Sequence, residues 1–462
     1  VSLSALIGLI LAELGLPLVN AAGGPSLTIP YATVVPALLF LTVFVGVAAG
    51  LYPAVLLSRF PAASVLASTR SPGGGRSGSR VREGLVVFQF ALAIAFLIGT
   101  AILFAQTHHI RNVDPGFRSG GIVTVTSTAD AAVDGSQRAA FAAQLQALPG
   151  VRMVTESDSV PGYSNGNSST FPIPGKTGPG PSILWTTQGP GFFDLYGMRI
   201  IAGRDFDNRH RLDEFSGTWN RPVNVVLNEQ AVSALGFASP QAAIGKVIGP
   251  VEAPRTIVGV VENARFYSPR DPVDPTLYYL SADPYNPKTS ILVDGDPRRM
   301  LPEIEAVWRK VAPQVPFNAS TVRQNMAEYF ESDERATRLF AIGAGLAVLI
   351  GMVGLWGLAS FNTARRVKEI GIRKSLGASA ADIVKLLVGQ FMRPVLIANL
   401  IAWPLAYFAM RTWLAGFDDR IALSPLYFIG ASLVAIAIAV LTVLGLSLRA
   451  SRTPPAWALR HD

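Results

Sequence analysis

Asn362-Thr363-Ala364-Arg365-Arg366-Val367-Lys368-Glu369-Ile370-Gly371-Ile372-Arg373-Lys374-Ser375-Leu376-Gly377-Ala378-Ser379-Ala380 is a short charged stretch between two apolar runs, residues 339–361 and 383–407. Arg365, Arg366, Lys368, Arg373 and Lys374 crowd both membrane-side ends of those runs. Lys and Arg near span ends set orientation with positive charge inside, so the pattern predicts a cytoplasmic loop between two membrane spans.

On a helix, Arg365, Glu369 and Arg373 fall on one face at i, i+4 and i+8, with Glu369 N-terminal to Arg373 in the favourable order. Val367, Ile370 and Lys374 line another face. Gly371 and Gly377 cost helix stability, about 1 kcal/mol each against alanine, but leave bare backbone that a partner could approach. The bland reading is a membrane-anchoring charge run. The wording of residues 365–378 goes further, because it resembles the signature of the FtsX-like permease domain found in ABC transporters related to the macrolide exporter MacB. The resemblance implies a coupling helix that docks on a separate ATPase subunit through Arg365, Arg366, Lys368, Glu369, Ile370, Gly371, Arg373, Lys374, Leu376 and Gly377.

The composition agrees with a membrane protein. Of 462 residues, 50% are hydrophobic and only 15% charged, where a soluble chain carries about 25%. No cysteine is present, which removes disulfides, thiolate metal sites and a thiol nucleophile. The net charge of +8 is explained by basic residues beside membrane spans, and aromatic residues do not alternate with them as nucleic-acid readout would need.

Taken in order, residues 3–19 form a first candidate span with Glu13 and Pro17 inside it, and residues 33–57 a second, long enough to cross about 30 Å of hydrocarbon. A lone carboxylate in a span is a functional candidate. Glu13 lies near a polar loop, and an interfacial or bundle-facing position is the simpler reading. Residues 68–83 are rich in Gly, Ser and Arg and read as a cytoplasmic linker. Residues 84–105 are a third span, and the flank from Arg82 to Ile94 resembles the first helix of an FtsX/MacB-type half. Everything from about 106 to 335 is then extracytoplasmic.

That segment reads as an α/β domain. Strands are expected at 122–126, 151–155, 224–227, 256–261 and 290–293, and helices at 137–148, 229–235 and 301–311. Asp114-Pro115-Gly116-Phe117, Tyr196-Gly197-Met198, Gly203-Arg204-Asp205-Phe206, Ile244-Gly245-Lys246 and Ile257-Val258-Gly259-Val260-Val261 together resemble landmarks of the MacB periplasmic core domain. A polar helix at 328–338 runs into the fourth span, 339–361, and would carry motion between domain and membrane. A fifth span (384–410), a loop with Asp418 and Asp419 read as solvated, and a sixth span (426–448) complete the second permease half, residues 336–462.

The tail repeats an earlier piece. Ser451, Arg452, Pro454, Ala456 and Leu459 align without gaps on Ser58, Arg59, Pro61, Ala63 and Leu66, and the apolar spans before them align too. Two fused halves are expected, with residues 1–67 as the last two spans of the first. Val1 falls within an apolar segment, which reads as a cut in a longer chain and not as a signal peptide.

Residue spacing argues against other chemistry. Gly162-Tyr163-Ser164-Asn165-Gly166 matches G-x-S-x-G, but Asn-Ser-Ser-Thr-Phe-Pro after it cannot open the required helix. No G-x-x-x-x-G-K-[ST] loop occurs, so ATP hydrolysis, with ATP and Mg, is assigned to a partner and no cofactor to this chain. His108 and His109 are adjacent and point apart, His210 and His461 are isolated, and no H-E-x-x-H spacing suggests a metal. Apart from Glu13 the spans carry no charge near mid-membrane, which disfavours an ion-coupled carrier. The Gly/Ser/Asn/Pro-rich run 161–181 reads as a surface excursion or a partner loop.

The sequence thus predicts an α-helical transmembrane bundle plus an extracytoplasmic α/β domain resembling the MacB periplasmic core. The resemblance implies a non-enzymatic permease subunit in the bacterial inner membrane, with partners in an ABC ATPase, the lipid bilayer and a periplasmic adaptor or outer-membrane component. Transport of a peptide, lipid-linked or drug-like substrate by mechanotransmission is the leading expectation. An FtsX-like scaffold that controls a cell-wall hydrolase or senses a ligand is the alternative.

Overall fold

The computed structural model describes residues 1–21, 28–58, 76–163, 166–173, 178–268 and 270–451. The chain divides into two compact units. One gathers the described residues of Val1–His108, Asp333–Ala415 and Ile421–Asp462, and the other holds His109–Ser332 with Gly416–Arg420. The repeat at 59–67 and 452–460, Ser164 and Asn165 of the G-x-S-x-G match, and residues 68–75 of the expected linker lie outside the described residues.

In chain order the first helices are α1 (Ser2–Ala21), α2 (Tyr31–Ser58) and α3 (Arg76–Asn112). Next come β1 (Ile122–Val125), α4 (Gly135–Gln146), β2 (Val151–Ser157), β3 (Ser168–Thr170), β4 (Ser182–Gln188), α5 (Phe192–Tyr196) and β5 (Ile200–Gly203). They are followed by β6 (Val223–Asn228), α6 (Glu229–Ala234), α7 (Pro240–Ala243), β7 (Val247–Ile248), β8 (Arg255–Val261), β9 (Thr276–Leu280) and β10 (Lys288–Val293). The chain closes with α8 (Leu301–Val311), β11 (Ala319–Thr321), α9 (Val322–Arg365), α10 (Val367–Ser375), α11 (Ala380–Leu414) and α12 (Pro425–Ser451).

Among the described residues 5 helices are long and apolar enough to cross a membrane: α1, α3, α9, α11 and α12. α2 is helical over 28 residues and charge-free. Residues 76–83, expected as linker, are the opening turns of α3. Glu13 on α1 accepts a hydrogen bond from the Tyr31 hydroxyl at 2.5 Å.

The helical core follows an i, i+4 pattern. Val86, Phe90, Ile94, Ile98 and Ile102 of α3 pack with Leu387, Phe391, Val395, Ala398 and Ala402 of α11. Ala431, Ala435 and Ala439 of α12 join the same core, and small side chains at this spacing let backbones approach where lipid supplies no hydrophobic drive. Polar groups add a direct tie: the Trp403 indole donates to Ser432 Oγ at 2.9 Å, and Ser432 Oγ donates to Asn399 Oδ1.

The α/β unit is an 11-stranded mixed sheet in the order β11-β1-β10-β2-β4-β9-β6-β8-β5, with β3 on β4 and β7 on β8. β4–β9 and β6–β8 are parallel. β2 and β4 meet at one register pair, Ser157 with Gln188, so the sheet narrows into two lobes there. One lobe packs α4 and α8 on β1 and β10, with the Phe141 and Trp308 rings edge to face at 5.0 Å. The other packs α6 and α7 on β6 and β8. An aromatic core of Phe192, Phe193, Tyr196, Phe266 and Tyr278 covers the opposite sheet face.

The expected strands and helices of this unit are all present. β3, β4, β5, β7, β9 and β11 are additional, and β3 places a strand inside the run 161–181. The sequence landmarks are backbone devices. Gly116 has φ +78, and a Cβ there would lie 2.1 Å from the Asn263 carbonyl oxygen. Gly203 (φ +72) pairs with Gly259 across β5 and β8. Asp418 and Asp419, expected to be solvated, belong by contact to this unit, and Phe417 beside them is 3% exposed.

Candidate coupling site

α10 is a short helix held at both ends. α9 stops at Arg365, and Arg366 leaves helical geometry (φ −108, ψ 11) while its N–H bonds Thr363 O at 3.0 Å. At the far end Gly377 adopts φ +96. Its N–H bonds Lys374 O and the Ala378 N–H bonds Arg373 O, both at 3.0 Å. These two bonds form a Schellman motif, which needs the left-handed residue that glycine supplies. Ser379 then caps α11 in a reciprocal box with Asp382. The sequence thus turns twice within a few residues and presents α10 as a fixed bracket.

The break at Arg366 shifts the expected faces. Glu369 pairs with Arg373 at 2.9 Å and with Arg366 at 3.8 Å, while Arg365 lies on the preceding helix with its guanidinium 4.6 Å from the Phe361 ring centre. Arg82 covers the same ring at 4.0 Å. Arg366 also donates to Gln390 Oε1 at 2.9 Å, which ties the bracket to α11.

Two expected contact residues turn inward. Ile370 is 5% exposed and belongs to the helical core. Gly371 is buried, and its carbonyl accepts from Ser375 Oγ one turn on at 2.9 Å. Gly377 serves the turn. The side chain of Lys368 lies outside the described residues. What faces outward is Leu376, 82% exposed, with its i, i+4 neighbour Ile372 at 47%, a residue outside the expected contact set. Half-exposed Glu369 and Arg373 flank them. An apolar pair ringed by ion-paired charge is the usual make-up of a docking centre and its rim. The signal for Ile372 was its phase with Leu376, hidden until the helix start was fixed at Val367.

Residues 341–455 match the FtsX-like permease C-terminal family. The chain is 22% identical over 233 residues to a macrolide export ATP-binding/permease protein MacB of Bartonella quintana, covering 46% of this chain and 32% of that one. It is 24% identical over 288 residues to the ABC transporter permease YknZ of Bacillus subtilis, covering 59% and 68%. The crystal structure of the periplasmic region of MacB from Actinobacillus actinomycetemcomitans overlays with TM-score 0.33 at 14% identity, covering 48% of this chain and 97% of that one. The chain spans about a third of the length of the first MacB relatives it matches. Residues 341–455 thus carry an FtsX-like permease C-terminal domain, and parts of the chain are similar to ABC-transporter permeases of the MacB type.

Proposed function

We propose that the chain is the permease subunit that couples a separate ABC ATPase to movement of its α/β unit. The ATPase docks on Ile372 and Leu376, and Glu369, Arg366 and Arg373 set the register of the contact. The observation that supports this reading is the split of α10 into an inward anchor, Ile370, and an outward apolar pair, Ile372 and Leu376. A rigid bracket with one face in the bundle passes a push on the other face to α9 and α11. α9 is a single helix of 44 residues, about 66 Å at the α-helical rise. Its first turn is fixed in the α/β unit: Val322 is fully buried, and Asn325 Nδ2 donates to Thr124 Oγ1 at 3.0 Å. Motion along α9 and α3 would then act on a peptide, lipid-linked or drug-like substrate outside the inner membrane.

The test is co-purification with candidate ATPases and their ATPase rates, comparing wild type with Ile372→Asp/Leu376→Asp and with Glu369→Arg/Arg373→Glu. Loss of association by the apolar double variant, with normal membrane insertion, supports coupling. If no ATPase associates with wild type, or the variants associate equally, α10 is a positive-inside anchor and a scaffold role replaces transport.

A further inference from the structure

A cavity of about 490 Å³ lies in the α/β unit between β9 and the loop that joins β8 to it, a size that suits a small organic ligand. Side chains alternate along a strand. Leu277 and Tyr279 of β9 point into the core under α6 and α7, so Thr276 and Tyr278 face the cavity. Phe192 of α5 and Phe266 of the loop extend an aromatic wall from Tyr278. The Phe192 ring centre lies 6.3 Å from that of Tyr278 and 6.0 Å from that of Phe266. Asp271 and Asp274 of the same loop bring carboxylates to the lining.

Tyr278 is the unusual member. It is 5% exposed, and among the described residues its hydroxyl has no hydrogen-bond partner. Burial raises the phenol above its usual range, so the group stays neutral and offers both a donor and an acceptor. Thr186 Oγ1, beside it in register on β4, is also unpartnered but is sealed from solvent. The Tyr278 hydroxyl is not sealed, and the cavity is what it opens on. A buried hydroxyl left without a partner costs stability, which a ligand atom would offset. The carboxylates give the second feature. Burial and the charge of Asp271 push the Asp274 carboxyl above its usual range, and no cation counters them. Arg265, the basic residue on the described wall, is engaged elsewhere: its guanidinium donates to Asp418 Oδ2 at 2.7 Å and to the Asp271 carbonyl at 3.1 Å.

Two carboxylates beside aromatic rings favour a cation, which both the charge and the ring faces attract, and they repel an anion. A neutral hydroxyl set in the aromatic wall favours a polar group carried on an apolar body. We propose that this cavity binds a small hydroxyl-bearing amine, the ammonium at Asp271 and Asp274, the apolar body on Phe192 and Phe266, and the hydroxyl paired with Tyr278. The site stands apart from α10, and its test needs no ATPase.

The experiment is calorimetric titration of the full chain in neutral-detergent micelles with tyramine at about pH 8, where an alkylamine is protonated and carboxylates are ionised. Saturable binding is expected. Phenethylamine, which lacks the hydroxyl, should bind about three- to tenfold more weakly. Hydroxyphenylpropionate, with an acid in place of the amine, should bind at least about tenfold more weakly, and Asp271→Asn with Asp274→Asn should weaken tyramine by a similar factor. Tyr278→Phe should weaken tyramine to the level of phenethylamine while leaving phenethylamine itself unchanged, which isolates the hydroxyl pair. Absence of saturable binding by wild type, or undiminished tyramine binding by either variant, overturns the site. A lowered Tm for Tyr278→Phe also overturns it, because the hydroxyl would then have a structural partner.

Discussion

His109 Nε2 and Asp419 Oδ1 lie 2.9 Å apart, although 310 residues of chain separate them. The neighbouring bonds make the turn between α11 and α12 a clasp. Arg265 meets Asp418 Oδ2 at 2.7 Å, the Asp418 N–H donates to Arg270 O at 2.9 Å, and the Arg270 guanidinium lies 4.6 Å from the Phe417 ring centre. A sequence reader sees two aspartates in a loop and assigns them to solvent. Their partners come from residues far away in the chain, so local pattern carried no trace of them.

The clasp should loosen when its charges go. Asp418→Ala with Asp419→Ala removes two partly exposed pairs, each worth about 0.2–1 kcal/mol. Amide exchange of residues 416–420 should speed up while the sheet stays protected. Unchanged exchange would mean that Phe417 and the backbone bond hold the turn alone.

Arg204 and Asp213 form a buried centre of the second lobe. Burial pushes the Asp213 carboxyl up, but hydrogen bonds from Arg204 and Asn224 outweigh it and hold it below the usual range. Arg204 donates to both Asp213 oxygens at 2.6 and 3.0 Å, and Asn224 Nδ2 donates at 2.6 Å. Arg204→Met strands that charge. Because Arg204 is 35% exposed, the loss should be roughly 2–3 kcal/mol, below that of a fully buried pair. The pH dependence has a definite sign. A depressed carboxylate stabilises above its unfolded pKa of about 3.9, and that share is lost as pH falls through the lower folded value. In Arg204→Met the Asn224 amide and the Asp207 N–H stay on the carboxylate but the guanidinium is gone, so the folded value moves up and protonation relieves the variant at higher pH than wild type. Its Tm deficit against wild type should narrow between neutral and mildly acidic pH.

The sequence revealed some parts of this molecule and hid others for physical reasons. α8 could be read from its apolar spacing, and Ile304, Val307 and Trp308 are its buried face. β6 and β8 were visible as β-branched runs. β4 and β9 were not, although they are neighbours in the middle of the sheet. Thr276-Leu277-Tyr278-Tyr279-Leu280 is buried on both faces, so it lacks the alternation that marks a half-buried strand. In the coupling segment the charge pattern was legible and the helical phase was not. A single non-helical residue, Arg366, moved Glu369 from Arg365 to Arg366 and turned Ile370 inward.

Gly259 should tolerate no side chain. A Cβ there would lie 2.2 Å from the Arg204 carbonyl oxygen and 3.2 Å from Val226 Cγ2. The first neighbour is backbone of the residue just after the paired strand β5 and cannot swing aside. Gly259→Ala should cost about 1–3 kcal/mol through overpacking. With a fall of about 2–4 °C per kcal/mol for a unit of this size, calorimetry of the α/β transition should resolve it. An unchanged Tm would mean that β5 can part from β8 without cost.

The two roles assigned to α10 should separate by mutation. Ile370 is 5% exposed in the helical core, so Ile370→Ala should cost about 2–5 kcal/mol and lower thermal stability in detergent. Leu376 is 82% exposed, so Leu376→Asp should change stability by no more than about 0.5 kcal/mol. Under the coupling proposal the second variant loses ATPase association while the first retains it below its lowered melting temperature. The pair is informative because a general disturbance of the loop would weaken both properties together. If Leu376→Asp unfolds the bundle, or Ile370→Ala alone abolishes docking in a folded protein, the division of α10 into anchor and docking face is wrong.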